Sequence, residues 1–131
     1  MARVEIPLAF YEDFPGSLQG LTPQQVRKVF PDPAIIEIEG RQPEPLFLSF
    51  LLHGNETTSF YVLQKLQQYL LQNPCPRRLI LYVGNVYATA ENQRFLSDQQ
   101  DYNRVWLDNG DSPEHRLAHR VREYAKDQGP L

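Results

Sequence analysis

The spacing of apolar and polar positions changes several times along the 131 residues, and each change marks an element. Leu46, Phe47, Leu48, Ser49, Phe50, Leu51 and Leu52 form a nearly unbroken apolar run. A run of that length predicts a strand buried on both faces, with His53-Gly54-Asn55 at its C-terminal end. Val62, Leu63, Leu66, Tyr69 and Leu70 then recur at helical spacing, predicting a helix over Thr57 to Gln72 that Asn73-Pro74 ends. Leu79 to Val83 predicts a second buried strand, closed by Gly84-Asn85. Ser112-Pro113-Glu114 has the order of a capping residue, a proline and an early acid, so it opens a last helix over 113–127. Leu117, Val121 and Tyr124 give that helix its stripe, and Gly129-Pro130 stops it.

The first third of the chain is less periodic. Val4 to Phe10 predicts a short strand, and Pro15-Gly16 a turn. Thr22-Pro23 opens a short helix through about Phe30, stopped by Pro31 and Pro33. Ala34 to Glu39 alternates apolar and charged residues, which predicts a half-exposed strand near a sheet edge, and Gly40 to Pro45 a turn. The segment from Val86 to Leu107 is polar, aromatic and aperiodic. It is long for a structureless loop, so it is either functional or carries short helices. Strand, helix, strand, long loop and helix in that order make an α/β pattern, with the two buried strands parallel across a right-handed crossover. Ligands in such sheets bind beyond the carboxyl ends of the strands, where His53 and Asn85 fall.

Composition narrows the class. With 41% apolar and 22% charged residues the chain reads as one ordinary globular domain. A net charge of -3 gives no reason to expect nucleic acid as a partner. The longest apolar stretch, Pro45 to Leu52, is too short to span a bilayer, and the start lacks the pattern of a secretory signal. Cys75 is the one cysteine, which excludes an internal disulfide and fits a cytoplasmic location.

Two groups of residues suggest chemistry. In His53-Gly54-Asn55-Glu56 an imidazole and a carboxylate with two residues between them stand where a strand turns into a helix, and both are good zinc ligands. Taken alone, those four residues are better explained as a strand-end histidine and a glutamate favoured by a helix dipole. Further on come Arg94 and Asp101-Tyr102-Asn103-Arg104. Arginine suits carboxylate recognition through its planar fork of donors, although a surface arginine in an exposed loop is the commoner case. Tyr87, Tyr102 and Trp106 are placed either to line a pocket or to pack.

The ordered series changes the weighing. His53-Gly54-Asn55-Glu56 after one buried strand, Gly84-Asn85 after the next, then Arg94 and Asp101-Tyr102-Asn103-Arg104, resembles the aspartoacylase and succinylglutamate desuccinylase family of the zinc carboxypeptidase superfamily. The resemblance runs from about Leu46 to Leu131. It implies a mixed, mainly parallel sheet flanked by helices, zinc-carboxypeptidase-like (phosphorylase/hydrolase-like) and truncated. It implies that His53 and Glu56 are two ligands of one zinc ion, and that Arg94 polarises the scissile carbonyl. Asn103 and Arg104 then hold the substrate carboxylate, and Asp101 is structural. The implied activity is hydrolysis of the amide bond of an N-acyl amino acid, a small-molecule substrate.

Val86 stands where the family often has proline after the Gly-Asn pair. The family's third zinc ligand is a histidine in an Asp-x-His setting on a strand after the helix matched here by 113–127, and its general-base glutamate comes later still. Both are expected beyond Leu131, so residues 1–131 are expected to be the N-terminal part of a catalytic domain. His115 and His119 share a helix face but lack the glutamate of a His-Glu-x-x-His pair, so they are expected to be solvated. The alternative is a non-catalytic domain that binds carboxylates through Arg94, Asn103 and Arg104, or that forms a homo-oligomer across an uncovered sheet edge.

Overall fold

The computed structural model describes residues 4–106 and 110–128. Its elements in chain order are β1 (Ala9–Tyr11), a 3-10 helix (Pro23–Lys28), β2 (Ala34–Ile38), β3 (Gln42–Phe50), α1 (Thr57–Gln72), β4 (Arg77–Val83), α2 (Val86–Ala90) and α3 (Pro113–Asp127). The strands form one sheet in the order β1-β2-β4-β3. β1 runs parallel to β2, β4 antiparallel to β2, and β3 parallel to β4. This is the α/β arrangement that the pattern predicts, with the mixed, mainly parallel sheet that the resemblance implies.

Alternation along the two central strands builds the core. Successive strand side chains point to opposite faces. Ala34, Ile36, Leu81 and Val83 therefore pack on one face with Phe60 and Leu63 of α1 and Val26 of the 3-10 helix. Ile35, Ile80 and Tyr82 pack on the other with Leu117 and Val121 of α3. A strand covered on both sides reads as a continuous apolar run, and β4 is that strand, buried from Leu79 to Val83.

α1 occupies the span predicted for it, but its buried line is Phe60, Leu63 and Gln67, whereas Val62 and Tyr69 are exposed. Gln67 is tolerated inside because both ends of its amide are used. Its Oε1 accepts from Leu18 N at 2.8 Å and its Nε2 donates to Gly16 O at 2.7 Å. α3 likewise keeps its predicted span, with Ser112 Oγ accepting from His115 N at 3.2 Å as the cap. Gly129-Pro130, the expected stop, lies outside the described residues.

Four expectations are corrected. β3 is an edge strand of the described sheet rather than a doubly buried one, and Leu46 is exposed. It also starts earlier, at Gln42, through what the prolines suggested was a turn. β2 is interior, between β1 and β4, rather than near the edge. Its Glu37 is accommodated by Arg78 Nε at 2.7 Å and by the Tyr124 hydroxyl, so a charged residue in the alternation does not mark solvent here. The N-terminal strand is only Ala9–Tyr11 and the helix after Thr22 is 3-10. Among the described residues, no helix is long and apolar enough to cross a membrane.

Candidate active site

The parallel pair β3–β4 ends with both strands pointing the same way, so the residues after Phe50 and Val83 arrive side by side. Gly84 N donates to Phe50 O at 2.9 Å and Asn85 N to Leu51 O at 2.8 Å. Leu51 has φ of 60°, a left-handed conformation unusual for a branched side chain. It is held by burial and by its own N–H donating to Ser59 Oγ at 2.8 Å. This kink lifts the chain out of the sheet just before His53.

Gly54 has no room for a side chain. A Cβ there would stand 2.3 Å from the Ala88 carbonyl carbon and 2.4 Å from Thr89 N and Gln93 O, all backbone atoms. The close approach lets Gly54 N donate to Arg94 O at 3.0 Å. The turn that carries His53 is thereby fastened to the segment that carries Arg94.

Glu56 is the residue before α1, and its side chain makes no cap hydrogen bond. Its Oε1 instead lies 2.5 Å from His53 Nδ1. The other ring nitrogen, Nε2, is 2.8 Å from Asp101 Oδ1. Asp101 is the hub of the group. Its Oδ1 also accepts from Asn103 N at 2.8 Å, and its Oδ2 accepts from Arg94 Nη2 at 3.2 Å. Arg104 Nε pairs with the same Oδ2 at 3.7 Å. Arg94 Nε lies a further 3.4 Å from His53 Nε2.

Burial separates fixed groups from available ones. The side chains of His53 and Asp101 are 14% and 8% exposed, whereas those of Arg94 and Arg104 are 51% and 78% exposed. Burial alone would raise the Asp101 carboxyl. The Asn103 amide, the His53 ring and the Arg94 guanidinium outweigh it and hold the group below its ordinary range.

The structure thus brings together His53, Glu56, Asp101, Arg94 and Arg104, which the sequence spreads over more than fifty positions. A cleft of about 320 Å³ beside them is lined by Arg94, Phe95, Gln99, Gln100, Asp101 and Arg104. Asn103 is exposed and does not line it; its backbone serves Asp101. Asp101, expected to be structural, does more than shape its loop, since it holds the ring of His53. The signal for that was present in part, because an aspartate two residues before its acceptor-seeking amide is an Asx-turn pattern. Its distant partner was not visible.

Other candidates are placed elsewhere. His115 Nδ1 faces Ser112 Oγ at 2.7 Å, and His115 and His119 line a different cavity of about 510 Å³ that shares no residue with the cleft. His119 is exposed rather than packed on the sheet. Tyr102 is buried in the core, Trp106 meets Tyr82 edge-on at 5.8 Å, and the Tyr87 hydroxyl donates to Asp32 at 2.7 Å. Tyr102 packs, whereas Trp106 and Tyr87 line cavities other than the cleft beside His53. Cys75 donates to Arg77 O at 2.9 Å and has no place in the site.

The model of the succinylglutamate desuccinylase/aspartoacylase catalytic domain matches residues 45–129, well over half of the chain. The chain belongs to this family. The family is one of hydrolases with deacylase activity, and its matched segment carries every residue of the cluster from His53 to Arg104. No curated protein and no solved structure matches the chain. Residues before 45 lie outside the match; here they supply β1, β2 and the 3-10 helix that complete the sheet and cover α1.

The donors fit a zinc ion in chemistry. An imidazole nitrogen and a carboxylate oxygen face each other, and the ring's second nitrogen is held by a carboxylate, the arrangement that fixes the orientation of metal-bound histidines. Among the described residues no group of three or more His, Cys, Asp or Glu is set to hold a metal.

Proposed function

We propose that the chain provides half of a zinc-dependent amide hydrolase centre that acts on N-acyl amino acids. The observation that supports this most is His53 held between two carboxylates, with Glu56 on Nδ1 and Asp101 on Nε2, and Arg94 on that same Asp101.

In this reading His53 Nδ1 and Glu56 Oε1 hold the metal. When bound, zinc lowers the pKa of a coordinated water and polarises the amide carbonyl. Asp101 accepts from His53 Nε2, which keeps Nδ1 turned to Glu56 and makes it the better ligand. Arg94 is half exposed and offers N–H groups toward charge that builds on the carbonyl oxygen. Arg104, more exposed still, clamps the substrate carboxylate at the cleft, with Asn103 beside it. The substrate is a small molecule carrying a carboxylate next to the scissile amide.

A second reading is metal-free carboxylate binding. Two arginines on one cleft, together with the incomplete ligand set among the described residues, favour it. Calorimetric titration with zinc alone, on the wild type and on His53→Ala and Glu56→Ala, separates the two. The hydrolase reading expects binding that either substitution weakens at least tenfold. It also expects zinc-dependent hydrolysis of N-acetylaspartate or N-succinylglutamate by the full-length protein. Zinc uptake indifferent to both substitutions overturns it. Binding of those carboxylates without zinc, lost in Arg94→Ala, establishes the second reading.

A further inference from the structure

Two buried amides, Asn85 after β4 and Gln99 within the loop that joins Arg94 to Asp101, bond each other and not His53, Glu56 or Asp101. Asn85 is fully buried and Gln99 nearly so. Burying an amide is unfavourable unless its hydrogen bonds are made, and here they are. Asn85 Nδ2 donates to Gln99 Oε1 at 2.8 Å, and the same Oε1 accepts from Leu96 N at 2.9 Å. Asn85 Oδ1 accepts from Ala88 N at 3.1 Å, capping α2. Asn85 N donates to Leu51 O at 2.8 Å, and Gln99 N to Leu96 O at 3.0 Å.

The cluster has a regular relation to the site. Leu51 is two residues before His53, Leu96 two residues after Arg94, and Gln99 two residues before Asp101. The Asn85 backbone thus holds the segment before His53, and its side chain, through Gln99, holds the segment that carries Arg94 and Asp101. The eight residues from Arg94 to Asp101 form a loop whose ends meet in the Arg94–Asp101 pair, and the buried amides brace it from within.

We infer that Asn85 and Gln99 are positioning residues, whose buried side-chain hydrogen bond sets the distance of Arg94 and Asp101 from His53. The inference uses the proposed centre to name what is positioned, but its test needs no zinc and no turnover. Gln99→Met keeps the bulk of residue 99 and removes its acceptor. Asn85→Asp keeps the acceptor that caps α2 and removes the donor toward Gln99. Nuclear magnetic resonance at one fixed pH reads the His53 ring nitrogens and the cross-peak between the His53 ring and the Asp101 methylene.

Both variants are expected to shift the ring nitrogens and to lose the cross-peak, while the amide signals of β2 and β4 stay in place. Gln68→Ala, on the exposed side of α1, is expected to change neither. Wild-type ring signals and an intact cross-peak in either folded variant overturn the inference. If a variant does not fold, the wild type decides it. The Asn85 side-chain amide must then exchange its hydrogens more slowly than that of exposed Asn55, and equal rates overturn the inference. Zinc added alone that fails to move the His53 signals sinks the hydrolase reading and leaves the positioning result standing.

Discussion

Asp101 Oδ1 lies 2.8 Å from His53 Nε2, across 48 positions of sequence. This contact decides which nitrogen of the ring faces Glu56, and it joins the loop of the two arginines to the end of β3. Asp101→Asn keeps the shape and removes the negative charge. Carboxylates in this role are worth about 10–100-fold in metal affinity. Zinc affinity by calorimetry is expected to fall by about that factor, with the thermal melt of the metal-free protein changing little by comparison. Unchanged affinity would show that the ring is oriented by Glu56 alone.

Arg94 and Arg104 share one carboxylate oxygen but differ in reach, at 3.2 and 3.7 Å. The nearer guanidinium lies over His53 and the farther one stands out at the cleft. In the proposed hydrolase Arg94→Ala is expected to lower kcat by about 100-fold or more, the usual effect of losing a donor to a developing oxyanion. Arg104→Ala is expected to act mainly on KM, because it removes a grip that ground state and transition state share. Steady-state kinetics on both variants checks the split; equal effects on kcat would refute it.

Leu51 pairs a buried side chain with φ of 60°. Both Leu51→Ala and Leu51→Gly lose the packed side chain, at about 2–5 kcal/mol. In ordinary helix or strand the glycine variant is the weaker of the two by about 0.5–1 kcal/mol. At this position the order is expected to invert, since only glycine adopts a left-handed conformation without penalty. Urea unfolding of the two variants tests it, and an alanine variant more stable than the glycine one contradicts the described backbone.

The ends of the pH range test two other groups. Asp101 is held below the ordinary aspartate value of about 4, so its contribution is complete above that pH and is lost as pH falls through the lowered native value. Tyr124 is pushed up to about 12, first by burial and then by its hydrogen bond and proximity to Glu37. Its neutral form is favoured in the folded state. That contribution is complete below about 10, the ordinary tyrosine value, and is lost as pH rises toward 12. Stability measured against pH is expected to fall less steeply on the acid side in Asp101→Asn and on the alkaline side in Tyr124→Phe.

Local signals were the legible ones. Helical spacing and Asn73-Pro74 marked α1, and Ser112-Pro113 marked the start of α3, because such signals act within a few turns of sequence. β4 was legible as a doubly covered strand because its whole run is apolar. The same logic failed for β3, whose run is as apolar although it lies at the edge of the described sheet. It failed in the opposite sense for β2, where Glu37 suggested solvent and Arg78 and Tyr124 supplied partners instead. Apolar content reports that something covers a strand, or is meant to, and says nothing of which neighbour does so.

By itself, the amino-acid order determined the α/β alternation, the helix ends, the family and the short-range pair His53 and Glu56. Those follow from interactions spanning a few residues, which spacing encodes directly. The tertiary structure alone decided that Asp101 meets His53, that the Asn103 backbone serves Asp101, and that Asn85 and Gln99 close on each other. Such contacts depend on how β3, β4 and the loop after α2 converge in space, and residues far apart in sequence carry no spacing that announces them.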